Sequence, residues 1–312
     1  MKGKNMSSAI FDVLVIGEGV SGLAAAGALA RHGLRTATLE AQLFGGLVIN
    51  VNELEPGPAG RQVSGAEFAS ELMQANADLG VISIQEPATA ISAAGELKRV
   101  ATASADYRAH QVVIASGARL KKLGVPGETE FEGRGVSQCA DCDGPMYQNE
   151  DVVVVGGGDS ALQEALVLAR YCRKVHLVHR GTSFRAQRYF LDRVQANDRI
   201  VPLWNATVEA ISGGKMVEKV SIRRADAGVE SLPCAGVFAY IGLAPNTDFL
   251  PAEIVRDEAG FVITSDARET AVPGIWAAGA VRSGCGGSLD DAIADAYATA
   301  DGVRVRAAQR NK

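Results

Sequence analysis

FDVLVIGEGVSGLAAAGALARHGLRTATLE, residues 11–40, runs from an apolar strand through three glycines into a helix, and out to a second strand that ends on an acid. Val13 to Ile16 read as a buried strand, Gly17, Gly19 and Gly22 as the turn, and the Ala/Leu run as a helix that stops near Gly33. Thr36 to Leu39 then deliver Glu40, 23 positions beyond Gly17. The three glycines serve a tight turn, backbone approach to a pyrophosphate, and close helix–strand contact, with the phosphate charge lying on the helix N-terminus beside Val20 and Ser21. Glu40 can take the two ribose hydroxyls of an adenosine. A bare glycine spacing is weak, but strand, helix, second strand and terminal acid together specify a dinucleotide-binding unit rather than a structural glycine turn.

The same layout returns in DVVVVGGGDSALQEALVLARYCRKVHLVHR, residues 151–180. Four valines form the strand, Gly156 and Gly158 the turn, Asp159 and Ser160 the helix start, and Ala161 stands where the third glycine was. Counting the earlier interval from Gly156 lands on His179, followed by Arg180, where the first unit has Glu40. An acid repels a 2′-phosphate, whereas a basic pair with Arg185 nearby attracts one. The first unit therefore suits FAD or NAD and the second NADP; the competing reading of His179 to Arg185 is a solvated loop. A self-similar pair of this size is a duplicated domain, not a solenoid.

Between and after these units, 66–80 have helical periodicity, 81–92 and 97–116 read as strands, and LGVPGE (123–128) as a linker. A helix is expected around Arg188 to Ala196, and another from Leu289 to Ala300. With 312 residues, 47% of them apolar, the chain has material for two cores, and the fold class is α/β. A formal charge of −5 without basic blocks offers no footprint for nucleic acid. The first residues lack a leader-like apolar run and no stretch approaches the length of a spanning helix, so a soluble, cytoplasmic protein without membrane contact is expected.

Five cysteines are too few for a disulfide framework in a chain this long, so paired thiols point to chemistry or metal. The pair is in QCADCDGP (138–145): Cys139 and Cys142, followed by Asp143. Three readings compete: a redox couple, a zinc half-site, or inert core thiols. Zinc needs two further ligands at short spacing, and Cys172, Cys234 and Cys285 are isolated, so no metal site is read. Asp141 and Asp143 make the segment too polar for a core.

Two dinucleotide units with a CxxC just ahead of the second resemble the low-molecular-weight thioredoxin reductases, FAD-dependent pyridine nucleotide–disulfide oxidoreductases. The ordered motifs carry the resemblance: the first glycine loop, Gly45-Gly46, Ala115-Ser116-Gly117-Ala118, CADCDG, GGGDSALQEA, HRGTSFRA, IGLAPNT (241–247) and VPGIWAAG ending at Gly279. It implies two Rossmann-like three-layer ββα domains: a discontinuous FAD domain, 1–122 and 248–312, and an inserted NADPH domain, 123–247, bearing the dithiol. It further implies a homodimer whose domains swivel, and a thioredoxin-like protein or a small disulfide or dithiol as partner. Cys142 matches the flavin-proximal thiol, Cys139 the thiol that attacks the substrate disulfide, and Asp143 the acid that relays the proton. A thiolate is the working nucleophile, and Asp143, if buried, would have the raised pKa of an acid able to protonate the leaving sulfur.

The chain also departs from that pattern. Ala280 replaces the aspartate that holds the flavin ribityl chain; Gly287 and Ser288 replace an Arg-Gln pair; Leu47 replaces a glutamine; Gly181 replaces a second arginine. Ser288 with Asp291 reads as a capping-box-like helix start, and Cys285 either as an extra redox thiol or as a small residue in a Gly-rich turn. The leading reading is a reductase in which electrons pass from NADPH through FAD to Cys139/Cys142 and on to a disulfide. Alternatives are a flavin dithiol oxidase using O₂, a reductase with another donor, and a non-catalytic flavin redox sensor.

Overall fold

A computed structural model of the chain describes residues 9–54, 61–225 and 227–310. The leader reading, which concerns the first residues, falls largely outside these. The first half of the chain runs β1 (Ile10–Ile16), α1 (Val20–Arg31), β2 (Thr36–Leu39), α2 (Gly65–Asp78), β3 (Ile82–Ile84), β4 (Ala90–Ala94), β5 (Leu97–Ala101), β6 (Asp106–Ile114) and β7 (Ala118–Leu120). There follow β8 (Val136–Ser137), α3 (Ala140–Asp143), β9 (Asp151–Gly156), α4 (Asp159–Leu168), β10 (Lys174–Val178), α5 (Arg188–Gln195) and β11 (Ile200–Leu203). The last stretch is β12 (Ala206–Gly213), β13 (Val217–Arg224), β14 (Gly228–Pro233), β15 (Gly236–Tyr240), β16 (Leu243–Pro245), β17 (Ile275–Ala277) and α6 (Leu289–Arg310). Two compact units result: residues 1–119 with 244–312, and 120–243.

In the first unit β1, β2, β3, β6 and β17 are parallel, and β4 and β5 add an antiparallel edge. β6 pairs with β1 along one edge, and its other edge serves two partners: Asp106 to Ala109 pair antiparallel with β5, and Val112 to Ile114 pair parallel with β17. Burial of both faces explains why β1 is apolar from Val13 to Ile16. Leu14 and Ile16 face Ile91, Val100 and Tyr107 on the meander side, while Val13 and Val15 face Leu29, Ala300 and Val303 of α1 and α6.

The second unit repeats the plan. Its sheet, in the order β11-β10-β9-β15-β8, is wholly parallel, and β12-β13-β14 form a separate antiparallel sheet. Val152 and Val154 pack on Leu162, Ala165 and Leu168 of α4, whereas Val153 and Val155 pack on Val208, Val220 and Ile222 of the antiparallel layer. Each unit is thus a three-layer sheet–sheet–helix sandwich, as the duplicated motif requires.

One helix differs from expectation. α6 continues to Arg310 instead of ending at Ala300, passing through Gly302. That glycine is not a stop signal but a contact: a Cβ there would lie 2.5 Å from the Trp276 ring and 2.8 Å from the carbonyl of Ala267. The loss of a side chain lets α6 lie close to β17.

Candidate active site

In the first unit the glycine turn is shaped by contacts that admit no side chain. A Cβ at Gly17, whose φ is +106°, would stand 2.3 Å from the carbonyl oxygen of Ala115, and one at Gly22 would stand 1.9 Å from that of Gly17. Around Gly19 there is open space, with nothing nearer than the Gly45 carbonyl at 4.0 Å. Gly19 caps α1 with no side-chain hydrogen bond, and the first turn carries no acid, so its amides face outward for an anion. Gly45 donates its amide to the carbonyl of Glu18 at 2.6 Å, and Gly46 lies beside Gly19. Val20 and Ser21 are buried, and the Ser21 hydroxyl donates to the carbonyl of Ala292 on α6.

Glu40 directly follows β2 and is half-buried, its carboxylate held by the amides of Glu18, Ala41 and Gln42 at 2.7 to 2.9 Å. An uncapped helix start, an open glycine and an acid at the end of the second strand fit the pyrophosphate and ribose of FAD. Residues 115–117 lie against the turn: Ala115 donates its amide to Ile16, and Ser116 exchanges hydrogen bonds with Asn246. Gly117, at φ +65°, accepts the amide of Asn246.

The sequence reading passed over Glu18, which is fully buried and accepts hydrogen bonds from Thr38 and Gln85. Its only signal was an acid between two turn glycines. It also passed over the ion-pair cluster behind Gly279, which abuts Ser21 at the start of α1. Asp295 on α6, 4% exposed, accepts the amide of Gly279 at 2.8 Å and pairs with Arg282 and Arg268. Those hydrogen bonds outweigh burial and hold its carboxyl below the usual carboxylate range. The cluster fixes the turn carrying Ala280, which is half-buried and offers no acceptor. Ser288 caps α6 reciprocally with Asp291, its hydroxyl donating to the carboxylate at 2.6 Å while accepting the Asp291 amide at 3.1 Å. Cys285 is a half-buried free thiol in the Gly-rich turn, and burial raises its pKa.

In the second unit, a Cβ at Gly156 would meet the Tyr240 carbonyl at 2.4 Å, while Gly158 caps α4 with nothing within 4 Å and no side-chain bond. Asp159, in the first turn, is occupied: its carboxylate accepts the backbone and side-chain N–H groups of Gln187 at 2.6 and 2.7 Å. Ser160 is exposed. Arg180 and Arg185 are exposed, and among the described residues neither guanidinium has a hydrogen-bond or ion-pair partner. His179 is placed differently from that pair. It is 8% exposed, its Nδ1 lies 3.0 Å from the Gly156 carbonyl oxygen, and its ring fills the space that side chains at Gly157 and Gly181 would need. It packs with Phe184 and Trp204, so it shapes the turn while the arginines stay open. An open glycine, an uncapped helix and free guanidiniums fit the pyrophosphate and 2′-phosphate of NADPH.

The same unit carries the sulfur pair. Cys139 and Cys142 form a disulfide with Cα atoms 5.3 Å apart. Cys139 is half-buried, Cys142 exposed and Asp143 half-buried. The Cys139 sulfur caps α3, accepting the Cys142 amide at 3.1 Å, an interaction that would favour a thiolate there after reduction. Cys172 and Cys234 are buried free thiols raised to about 11 and about 12 by desolvation, hence inert. No group of three metal-ligating side chains occurs among the described residues.

Two dinucleotide-binding sandwiches and one vicinal disulfide define a two-domain flavoprotein disulfide oxidoreductase. A family model for pyridine nucleotide-disulphide oxidoreductases matches residues 11–301, and the chain belongs to that family, whose thioredoxin reductases use FAD and NADPH. Over 276 residues it is 39% identical to the thioredoxin reductases of Treponema pallidum and Listeria innocua, covering 88% of this chain and 89% and 86% of theirs. The crystal structure of Lactococcus lactis thioredoxin reductase superposes with a TM-score of 0.92 at 34% identity, covering 96% of this chain and 99% of that one.

Proposed function

We propose that the chain reduces disulfides as thioredoxin reductases do, taking electrons from NADPH and delivering them through Cys139 and Cys142 to a thioredoxin-like protein or a small disulfide. The observation that carries this reading is the disulfide itself, on a partly exposed turn of the unit that also holds the open basic pair. Bound FAD would supply a two-electron centre between the nicotinamide and the sulfurs. Gly17, Gly19 and the start of α1 hold its pyrophosphate, and Glu40 its ribose. Gly158 with the start of α4 holds the pyrophosphate of NADPH, and Arg180 with Arg185 its 2′-phosphate.

Once the pair is reduced, the Cys139 thiolate attacks the substrate disulfide, forming a mixed disulfide and expelling one substrate sulfur, which Asp143 protonates. Cys142 then gives up its proton and attacks Cys139, the second substrate sulfur leaves and takes that proton, and the enzyme disulfide is restored; two electrons and two protons have passed. The homodimer and a location in the cytoplasm belong to the same proposal; among the described residues no helix is long and apolar enough to cross a membrane. The oxidase and sensor readings rest on the departures at Ala280, Gly287 and Ser288 alone, and the similarity to thioredoxin reductases does not favour them.

Anaerobic mixing with NADPH tests the reading. The yellow absorbance should bleach rapidly, and more readily than with NADH. Arg180→Ala should raise the NADPH requirement by about tenfold or more and leave NADH nearly unchanged, since it removes one charge-assisted contact to a phosphate. Indifference to NADPH together with bleaching by a dithiol and recovery in air would instead support the oxidase.

A further inference from the structure

Glu164 is a half-buried carboxyl that the electron path above does not use. It stands on α4, and its Oε2 accepts two hydrogen bonds, from the backbone amide of Ala140 at 3.1 Å and from the Tyr240 hydroxyl at 3.2 Å. Ala140 is fully buried and directly follows Cys139, so the carboxyl rests against the backbone that joins the two sulfurs. Titratable and charged groups lie on every element packed against α4: Asp141 and Asp143 on α3, Asp151 on β9, Lys174 and His176 on β10, Arg188, Asp192 and Arg193 on α5, and Tyr240 on β15. Of these only Asp141 and Tyr240 bear on Glu164, and neither is a cation.

We propose that Glu164 is a positioning and proton-holding residue of the Cys139–Cys142 couple: it anchors the redox turn through Ala140, and takes up a proton when a thiolate forms at Cys139. The inference rests on the dithiol reading above. A dithiol reductant, or its equivalent in turnover, gives two electrons and two protons, and the Cys139–Cys142 bond breaks. One proton goes to Cys142 and the other to Glu164, so that Cys139 remains a thiolate against the Cys142 amide. When that thiolate is consumed by a substrate disulfide, Glu164 releases its proton to solvent, from which Asp143, having protonated the leaving sulfur, is reprotonated. A carboxylate bonded to the amide of Ala140 and a thiolate on the preceding residue repel, and their titrations are then coupled. Desolvation pushes the Glu164 carboxyl up to about 7, with Asp141 acting in the same direction and the Ala140 amide and Tyr240 hydroxyl opposing. Proton uptake there is therefore accessible near neutrality.

The test uses the purified flavoprotein reduced with dithiothreitol, and follows alkylation of Cys139 by iodoacetamide between about pH 5.5 and 9, read by peptide mass spectrometry. The wild-type rate should show two inflections. Glu164→Gln keeps an oxygen for the Ala140 amide but has no charge, so it should show one inflection, at lower pH, and react about three- to tenfold faster at pH 7. A purely structural role for Glu164 would leave that variant like wild type. Tyr240→Phe removes a donor that favours the carboxylate and should move the lower inflection upward; it carries the test by itself where Glu164→Gln does not fold. Reducible sulfurs with unmoved profiles overturn this inference alone, whereas sulfurs that resist dithiothreitol overturn the dithiol reading and the inference with it.

Discussion

Glu164 also makes a prediction about folding, independent of redox chemistry. Its pKa in the folded chain, about 7, lies above the ordinary carboxyl value of 4.5, so the folded state holds this proton more tightly than the unfolded one. Stability from this group is therefore complete below about pH 4.5 and is lost as pH climbs through 7. Glu164→Gln has no proton to lose. Measured by urea unfolding, the variant should gain on wild type by up to about 3 kcal/mol between pH 5 and pH 8. Parallel stability–pH curves for the two proteins would mean that Glu164 ionises as freely as a surface carboxyl. Nothing near Glu164 in the chain announces this behaviour. Ala140 lies 24 residues away and Tyr240 lies 76 away, and only the packing of α4 between α3 and β15 brings them together. His179 shows the same limit. Its place after a strand reads as a phosphate contact, but the missing side chains at Gly157 and Gly181 create a slot that its ring fills.

Elements, by contrast, were largely legible, because what makes a strand–turn–helix unit is local. The steric demands at Gly17 and Gly22 come from the turn's own backbone and from residue 115, and the periodicity that buries Val152 to Val155 on two faces is written in four successive residues. Locality also gives a sharp test. In Gly22→Ala the new Cβ would fall 1.9 Å from the Gly17 carbonyl oxygen, so α1 must move away from β1 and its first amides leave their places. The purified variant should keep its far-UV circular dichroism but lose most of its flavin absorbance. Gly33→Ala is the control. Gly33 sits at φ +77° with nothing within 4 Å, so the change should cost about 1 kcal/mol of stability and retain flavin. If both variants held FAD equally, close packing at the turn would not be what holds the dinucleotide. The ion-pair cluster of Asp295, Arg282 and Arg268 escaped notice for the opposite reason: its members come from a loop, a turn and a helix, with no shared period.

For the whole molecule, the chain's path through its two units decides which of them can exist alone. The cores of the unit spanning 120–243 draw only on that continuous segment, from Leu120 to Tyr240. Those of the other unit are shared between the chain ends: Leu14 and Val112 pack with Ile254 and Ile275, and Val15 packs with Trp276 and Val303. Cutting at the boundaries therefore has unequal consequences. A fragment of residues 120–243 keeps every apolar contact of its two cores, lies within the ordinary size of an independent domain, and should unfold in one cooperative thermal transition. It should also still form the Cys139–Cys142 disulfide, because both cysteines, Glu164 and Tyr240 lie inside it. A fragment of residues 1–119 loses β17 and α6, and with them the β6 edge at Val112 to Ile114 and the α6 part of the helical layer over Val13 and Val15. Unpaired strand and bare apolar face together should leave it without a cooperative transition and prone to aggregate. Adding residues 244–312 as a separate chain should restore both the transition and flavin binding. A cooperative 1–119 fragment, or a 120–243 fragment that melts without a transition, would show that the two sandwiches do not divide the folding of the chain between them.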